Sequence, residues 1–294
     1  MTTTREIVKR RRSVANIRKI TKTMEMIATA KFRRAMNRAV GAKPYTDKIA
    51  ELVSTLMTGS AQAIHPLMEE NTESNRVVLL VLTSNRGLCG GYNGNIIRLA
   101  NQQIKQLAEG KSEIDLRVSG KKGISALRYA GHEISHSYID FDDKITFAQA
   151  EELADELMDL YCTKQINGVR VVYTRFISSA RHDAEILNLL PIRAPVPEEA
   201  DEEPLDVGIE DYLFSPTREE ILSELVPVAL KTELFQCFMD AVVSEQVARM
   251  SAMKAATDNA QQMIQALTRQ YNRARQSQIT GELLDIMGGA EALK

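Results

Sequence analysis

Tryptophan is absent from the 294 residues, and aromatic side chains of all kinds make up only 5%. That poverty argues against a stacking platform for single-stranded nucleic acid, which needs exposed rings for successive bases. Cysteine is scarce too: Cys89, Cys162 and Cys237 are far apart, odd in number and never in CxxC spacing. No disulfide framework or cysteine zinc site can be built from them, and the pattern suits a reducing compartment. No apolar run nears the roughly 18 residues of a membrane span, the best being Val77–Leu82. No secretory signal is legible either, because Ile7–Val14 is too charged for its apolar region. What is present is a soluble-type composition, 44% hydrophobic and 26% charged, able to bury a core.

The net charge of −2 conceals a polarised layout. Residues 1–43 hold thirteen Lys or Arg against Glu6 and Glu25, whereas residues 198–224 hold eleven Asp or Glu against Arg218. A basic amino-terminal stretch suggests a transit peptide, a nucleic-acid arm or a helix facing an acidic protein. A helical pattern running well past residue 30 opposes the first, since a cleaved leader has no structural continuation.

Between Thr2 and Val40 there is neither Gly nor Pro. Alternate steps of three and four reach Ile7, Arg10, Val14, Ile17, Thr21, Met24, Ala28, Lys31, Ala35 and Arg38, with Ile20 and Ile27 adjoining. This reads as a worn coiled-coil seam, on a rod of roughly 58 Å that resumes past Gly41 and Pro44 to about Met57. At the other end Pro227 suits a first helical turn, and no Gly or Pro follows before Gly281. One helix there would be roughly 80 Å long, with a small-residue seam at Leu234, Phe238, Ala241, Ala248, Ala252, Ala255 and Ala266. Alanine permits close approach but buries little area, so the two ends are expected to pair antiparallel as a thin shaft.

The middle alternates strands and helices. Arg76–Thr83 is a buried parallel strand by composition, followed by a Gly-rich turn (Asn85–Asn95) and a helical stretch to Glu109. Ile114–Ser119, Gly168–Thr174 and Ala184–Ile192 read as further strands, and Phe147–Gln165 as an acidic amphipathic helix. The expected class is α/β: a long antiparallel coiled coil of the terminal helices plus a Rossmann-like, doubly wound domain without a nucleotide site. The expected boundaries are 1–57 for the first coiled-coil helix, 75–193 for the α/β domain, 194–216 for an acidic linker and 217–294 for the second helix.

Enzyme motifs fare poorly. His132-Glu133-Ile134-Ser135-His136 spells HExxH, a zinc-protease motif that works only on a helix. Gly131 and the β-prone residues Ile134, Tyr138, Ile139 and Phe141 favour a strand, where the two histidines would stand roughly 13 Å apart. Gly87, Gly90 and Gly91 give GxxGG, not GxGxxG, and no P-loop Lys-Ser/Thr follows. Ser119-Gly120-Lys121 closes the second strand with no carboxylate for a ribose. Cys89 could be reactive or packed. His65 and His182 form no recognisable triad.

Three segments together resemble one family. Arg10–Ala35 (RRRSVANIRKITKTMEMIATAKFRRA), the turn Ser84–Asn93 (SNRGLCGGYN), and Ser244–Ala260 continuing through Tyr271–Leu293 (YNRARQSQITGELLDIMGGAEAL) are similar to the gamma subunit of F-type ATP synthases, bacterial type. The resemblance runs end to end and is weakest over residues 194–216. It implies a central rotor stalk, itself non-catalytic, whose helices turn inside a ring of three alpha and three beta subunits. The α/β part would lie beside the epsilon subunit and the membrane c-ring, and a proton or sodium gradient would drive rotation. An eccentric shaft in a threefold sleeve touches each subunit differently, so turning it exchanges their states by differential contact.

The resemblance also implies residue roles. Met24 would face an acidic loop of the beta subunit, with Lys22 complementing its charge. Arg275, Gln276, Thr280 and Glu282 would make polar contacts to beta. Ile279, Leu283, Leu284, Ile286 and Met287 would be an apolar tip in the alpha–beta sleeve, the kind of exposed cluster that implies a partner. Coiled-coil packing remains an alternative for each. No cofactor, metal or nucleic acid is implied, and membrane association would be indirect, through the c-ring, on the cytoplasmic side of a bacterial inner membrane. The inserted cysteine pair of chloroplast members is not found here. A mitochondrial form would be expected to begin with a transit sequence, whereas the family helix here starts within a few residues of Met1, so a bacterial origin is the expectation. Two rival readings remain: a zinc protease on His132, Glu133 and His136, and a basic coiled-coil nucleic-acid binder on Arg5–Arg34.

Overall fold

The computed structural model describes residues 4–58, 65–141, 145–178, 181–192 and 217–292. The acidic stretch 194–216 lies outside the described residues. Two compact units are formed, Met1–Ala30 with Arg249–Lys294, and Lys31–Ala248. Two long helices, α1 (Thr4–Thr58) and α5 (Arg218–Ala292), contribute to both.

In the larger unit a five-stranded sheet is built from β1 (Arg76–Leu82), β2 (Glu113–Ser119), β3 (His136–Tyr138), β4 (Gly168–Phe176) and β5 (His182–Leu190). The order is β3-β2-β1-β4-β5, parallel except for β5, which runs antiparallel to β4. The helices α2 (Tyr92–Glu109), α3 (Lys121–Tyr129) and α4 (Phe147–Cys162) fill the crossovers. Strand alternation sorts β1 onto two cores. Val78, Leu80 and Leu82 join Leu153 and Leu157 of α4, Leu230 and Leu234 of α5, and Ala35 and Ala39 of α1. Leu79 and Val81 join Ile96 and Ala100 of α2 and Leu127 of α3. A strand buried on both sides explains the unbroken apolar run from Val77 to Leu82.

Sequence reading missed α3, which is nine residues long and carries Gly123 inside it. That glycine is required: a Cβ there would stand 2.5 Å from Thr83 Oγ1. The helix therefore sits against the end of β1, where the Gly123 amide donates to the Thr83 hydroxyl at 2.9 Å. Helix α4 starts at a capping box, Thr146 with Gln149. Two ion clusters pin it. Arg117, buried in mid-strand, reaches Glu156 at 2.7 Å and Asp115 at 3.3 Å, and Lys231 of α5 bridges Glu151 (3.0 Å) and Asp155 (2.9 Å). α5 also begins earlier than its proline suggested, at Arg218, so Pro227 lies inside it. Likewise α1 continues unbroken through Gly41 and Pro44.

Candidate functional site

In the smaller unit α1 and α5 run antiparallel. Thr4 meets Gln278 (3.2 Å), the Arg11 guanidinium lies over the Tyr271 ring (5.5 Å), Arg18 donates to Gln261 (2.6 Å) and Thr257 to Thr21 (2.9 Å). The pairing of the two chain ends is thus as expected, but its face is not. Buried residues on α1 in this unit fall seven apart, at Ile7, Val14, Thr21 and Ala28. Half-buried four residues after Ile7 and Thr21 are Arg11 and Glu25, so the seam steps by four and then three. Stepping by three first had placed Ile17 and Met24 inside, with Ile20 and Ile27 adjoining. They are outside, Ile17 52%, Ile20 55%, Met24 37% and Ile27 52% exposed.

A similar correction applies to α5. Its buried positions here are Met253, Ala260 and Leu267, with Ile264, Tyr271 and Ala274 packed alongside, while Ala255 and Ala266 face out. The shared core is as thin as the alanines suggested: Ile7, Val14, Ala260 and Leu267, with Thr21–Thr257 as a polar layer. Each fully buried aliphatic side chain in it contributes about 1.5–3 kcal/mol.

Two surfaces remain open on this unit. The first is the α1 stripe Ile17-Ile20-Met24-Ile27, spaced at three and four along one helix face. Lys22 lies away from this stripe, ion-paired with Glu25 at 3.0 Å. The second is the end of α5. Because Thr4 already lies opposite Gln278, residues 279–292 extend past the described start of α1. Ile279, Leu283, Leu284, Ile286 and Met287 are all more than half exposed there. Arg275, Gln276, Thr280 and Glu282 are exposed on the same segment, Thr280 donating to the Gln276 carbonyl (3.0 Å) and Glu282 accepting from Gln278 (2.9 Å). The five apolar residues that sequence reading expected at a partner-facing tip are exposed here; of the stripe it set only Met24 against a partner, and it put Ile17, with Ile20 and Ile27 adjoining, in the seam. The missed signal was polar: Arg11 and Arg18 lie seven apart and reach across the helix pair with their tips, to Tyr271 and Gln261.

The enzyme-like motifs resolve into structural roles. His132 and Glu133 follow α3 as irregular chain and His136 opens β3, so HExxH is not helical. His132 Nε2 lies 2.8 Å from Asn101 Oδ1. Among the described residues no group of three His, Cys, Asp or Glu side chains is placed to hold a metal. In the Gly-rich turn, Leu88 and Gly90 take positive φ of 64° and 57°, and Cys89 is buried, accepting from Asn93 Nδ2 at 3.1 Å. His65 Nδ1 accepts from the Leu67 amide within a turn (3.1 Å), and its burial lowers its pKa. At the carboxyl ends of β1 and β2, where doubly wound sheets hold nucleotides, Phe238, Ala241 and Val242 of α5 occupy the crevice. The cavity left there is about 20 Å³, the room of one water.

The family described as ATP synthase matches residues 3–293. The chain is 46% identical to the ATP synthase gamma chain of Rhodopirellula baltica, over 100% of both chains. It is 40% identical to that of Leptospira biflexa, again over 100% of both. The chain belongs to the ATP synthase gamma chain family. Its fold agrees: a chain of the cryo-EM structure of the Euglena gracilis mitochondrial ATP synthase (OSCP/F1/c-ring) superposes with a TM-score of 0.66 at 17% identity, covering 99% of this chain and 94% of that one. One from the central stalk and c-ring of the Tetrahymena thermophila enzyme gives 0.54 at 21% identity, covering 81% and 99%. Gamma-family membership also fits a chain in which, among the described residues, no helix is long and apolar enough to cross a membrane.

Proposed function

We propose that this gamma-family chain is the central rotor stalk of an F-type ATP synthase, coupling ion-driven rotation to ATP synthesis or hydrolysis on an alpha3–beta3 ring. The reading rests on the end of α5, where five apolar side chains are more than half exposed beyond the pairing with α1. An exposed apolar cluster of that kind marks a surface for a partner, and a hydrophobic collar of alpha and beta subunits is the partner the family supplies. The stripe Ile17-Ile20-Met24-Ile27 is a second contact and suits an apolar surface on beta. Arg275, Gln276, Thr280 and Glu282 supply exposed donors and acceptors for directional contacts. Epsilon and the c-ring are the remaining partners, and association with the membrane is peripheral, through the c-ring, on the cytoplasmic face of a bacterial membrane.

The chain itself is read as non-catalytic, supported by the filled crevice at β1 and β2 and by the non-helical HExxH. Its work is mechanical: the exposed groups differ around the circumference, so each turn presents different contacts to each ring subunit and shifts their equilibria. The decisive experiment reconstitutes the complex with Leu283→Asp and Leu284→Asp together. Alpha, beta and epsilon should co-purify with the parent chain, and the variant should lose ATP-driven proton pumping while the free chain keeps its thermal stability. Undiminished pumping by the variant would overturn the proposal.

A further inference from the structure

Packing within the chain accounts for one face of α2 and leaves the other unexplained. Tyr92, Ile96, Ala100, Ile104 and Leu107 bury the inner face. Along the outer one runs an open trough of about 550 Å³, lined by Gly94, Ile97, Arg98, Asn101, Gln102 and Lys105. From Gly94 to Lys105 is roughly 16 Å of helix, or three turns.

Three features mark this trough. The first is charge. Between Tyr92 and Ala108 the helix has no Asp or Glu, yet Arg98 and Lys105 are both exposed. Among the described residues neither is ion-paired; Arg98 donates to Asn95 of its own helix at 3.4 Å. Two turns apart, they stand roughly 10 Å from each other along the helix. The second is Gly94. Glycine within a helix costs roughly 0.5–1 kcal/mol relative to alanine, and no contact in the chain asks for it here, since a Cβ would meet nothing within 4 Å. What its bare backbone provides is room for another chain over the half-buried Ile97. The third is the end of α3. His132 Nε2, 2.8 Å from Asn101 Oδ1, holds the chain leaving α3 beside the trough, and Tyr129, the last residue of α3, is 96% exposed. Tyrosine and arginine are among the side chains that most often anchor interfaces.

A three-turn trough on a helix offers no open backbone edge for an extended peptide to pair with. Two cations are also few for a phosphate backbone, whose binders neutralise several charges. We propose that the outer face of α2 is a docking trough for an acidic α-helix of a partner protein, its carboxylates two turns apart meeting Arg98 and Lys105 and its backbone passing over Gly94 and Ile97. This face belongs to the larger unit and is not among the surfaces that the rotor reading assigns to the ring, so the two stand or fall separately.

The test is fluorescence anisotropy on the full chain. The probe is a labelled alanine- and leucine-based peptide of about 20 residues, long enough to hold a helix, with glutamates seven apart. A second peptide carries glutamines in their place. The glutamate peptide should bind the parent. Binding weaker by roughly tenfold or more, the worth of two ion pairs, is expected for the glutamine peptide, for Arg98→Gln with Lys105→Gln, and for Gly94→Leu, which fills the trough. Gly94→Leu should melt no lower than the parent, which separates docking from folding. Arg12→Gln with Lys19→Gln, altering exposed cations of α1, should bind as the parent. Affinity for the glutamate peptide that is unchanged by the Arg98, Lys105 and Gly94 variants, or that falls equally with the Arg12 and Lys19 pair, would overturn the proposal. So would a single-stranded oligonucleotide that displaces the peptide from the parent and itself loses affinity with Arg98→Gln and Lys105→Gln, since the trough would then serve nucleic acid.

Discussion

Thr257 donates its hydroxyl proton to the Thr21 hydroxyl across the helix pair, at 2.9 Å, in the same seam that buries Ile7 and Val14. A polar layer in so thin a core reduces cohesion but sets which turn of α1 lies beside which turn of α5. Each hydroxyl also has a carbonyl of its own helix to donate to, Thr21 that of Arg18 (3.1 Å) and Thr257 that of Met253 (2.8 Å). Replacing either threonine by valine therefore removes the cross-helix bond without stranding the other and should cost about 1 kcal/mol, whereas replacing both should cost less than the sum of the two single losses. Denaturant unfolding in a double-mutant cycle measures this; purely additive costs would show that the two hydroxyls do not cooperate.

Met24→Lys should leave the free chain's unfolding free energy within about 0.5 kcal/mol of the parent, as is usual at a surface site. In the reconstituted complex the same change should lower protons pumped per ATP hydrolysed. Val14→Ala, inside the seam, should do the reverse of the first result and destabilise the chain. Equal pumping ratios for Met24→Lys and parent would remove the stripe from the contact surface.

Gly123→Ala forces a Cβ to within 2.5 Å of Thr83 Oγ1 and 3.0 Å of Val118 Cγ1. Overpacking of that kind costs about 1–3 kcal/mol. Gly94→Ala, in the first turns of α2 with nothing within 4 Å, should instead stabilise by about 0.4–1 kcal/mol through the unfolded chain. Thermal melts of the two variants should move in opposite directions.

His132→Ala should remove the contact with Asn101 (2.8 Å) and cost about 1 kcal/mol. Zinc content measured by elemental analysis should be the same for variant and parent. Stoichiometric zinc that vanishes with His132 would return the protease reading to consideration.

The parts that were legible in sequence are those set by neighbours a few residues apart. Strand β1 shows in the run from Val77 to Leu82, the Gly-rich turn in its glycines, and the tip in an apolar cluster at Ile279–Met287. Helix α3 escaped because its glycine serves a packing contact with Thr83, a residue 40 positions away. The buried Arg117 escaped for the same reason, since the carboxylate that makes its burial tolerable, Glu156, is on another helix.

By itself the sequence determined that both ends are long helices, that strands and helices alternate between them, and that no recognised catalytic spacing sits in the right local structure. Composition and periodicity act within a few turns of chain, and that is enough for such decisions. Only the tertiary structure decided which face of α1 is the seam, because two heptad registers share Ile7, Val14, Thr21, Ala28 and Ala35 and differ in whether Ile17 and Met24 or Arg11, Arg18 and Glu25 lie between them. Hydrophobicity alone favours the first. The second wins where Arg11 can lie on Tyr271 and Arg18 can bond Gln261, leaving the apolar stripe free for another surface.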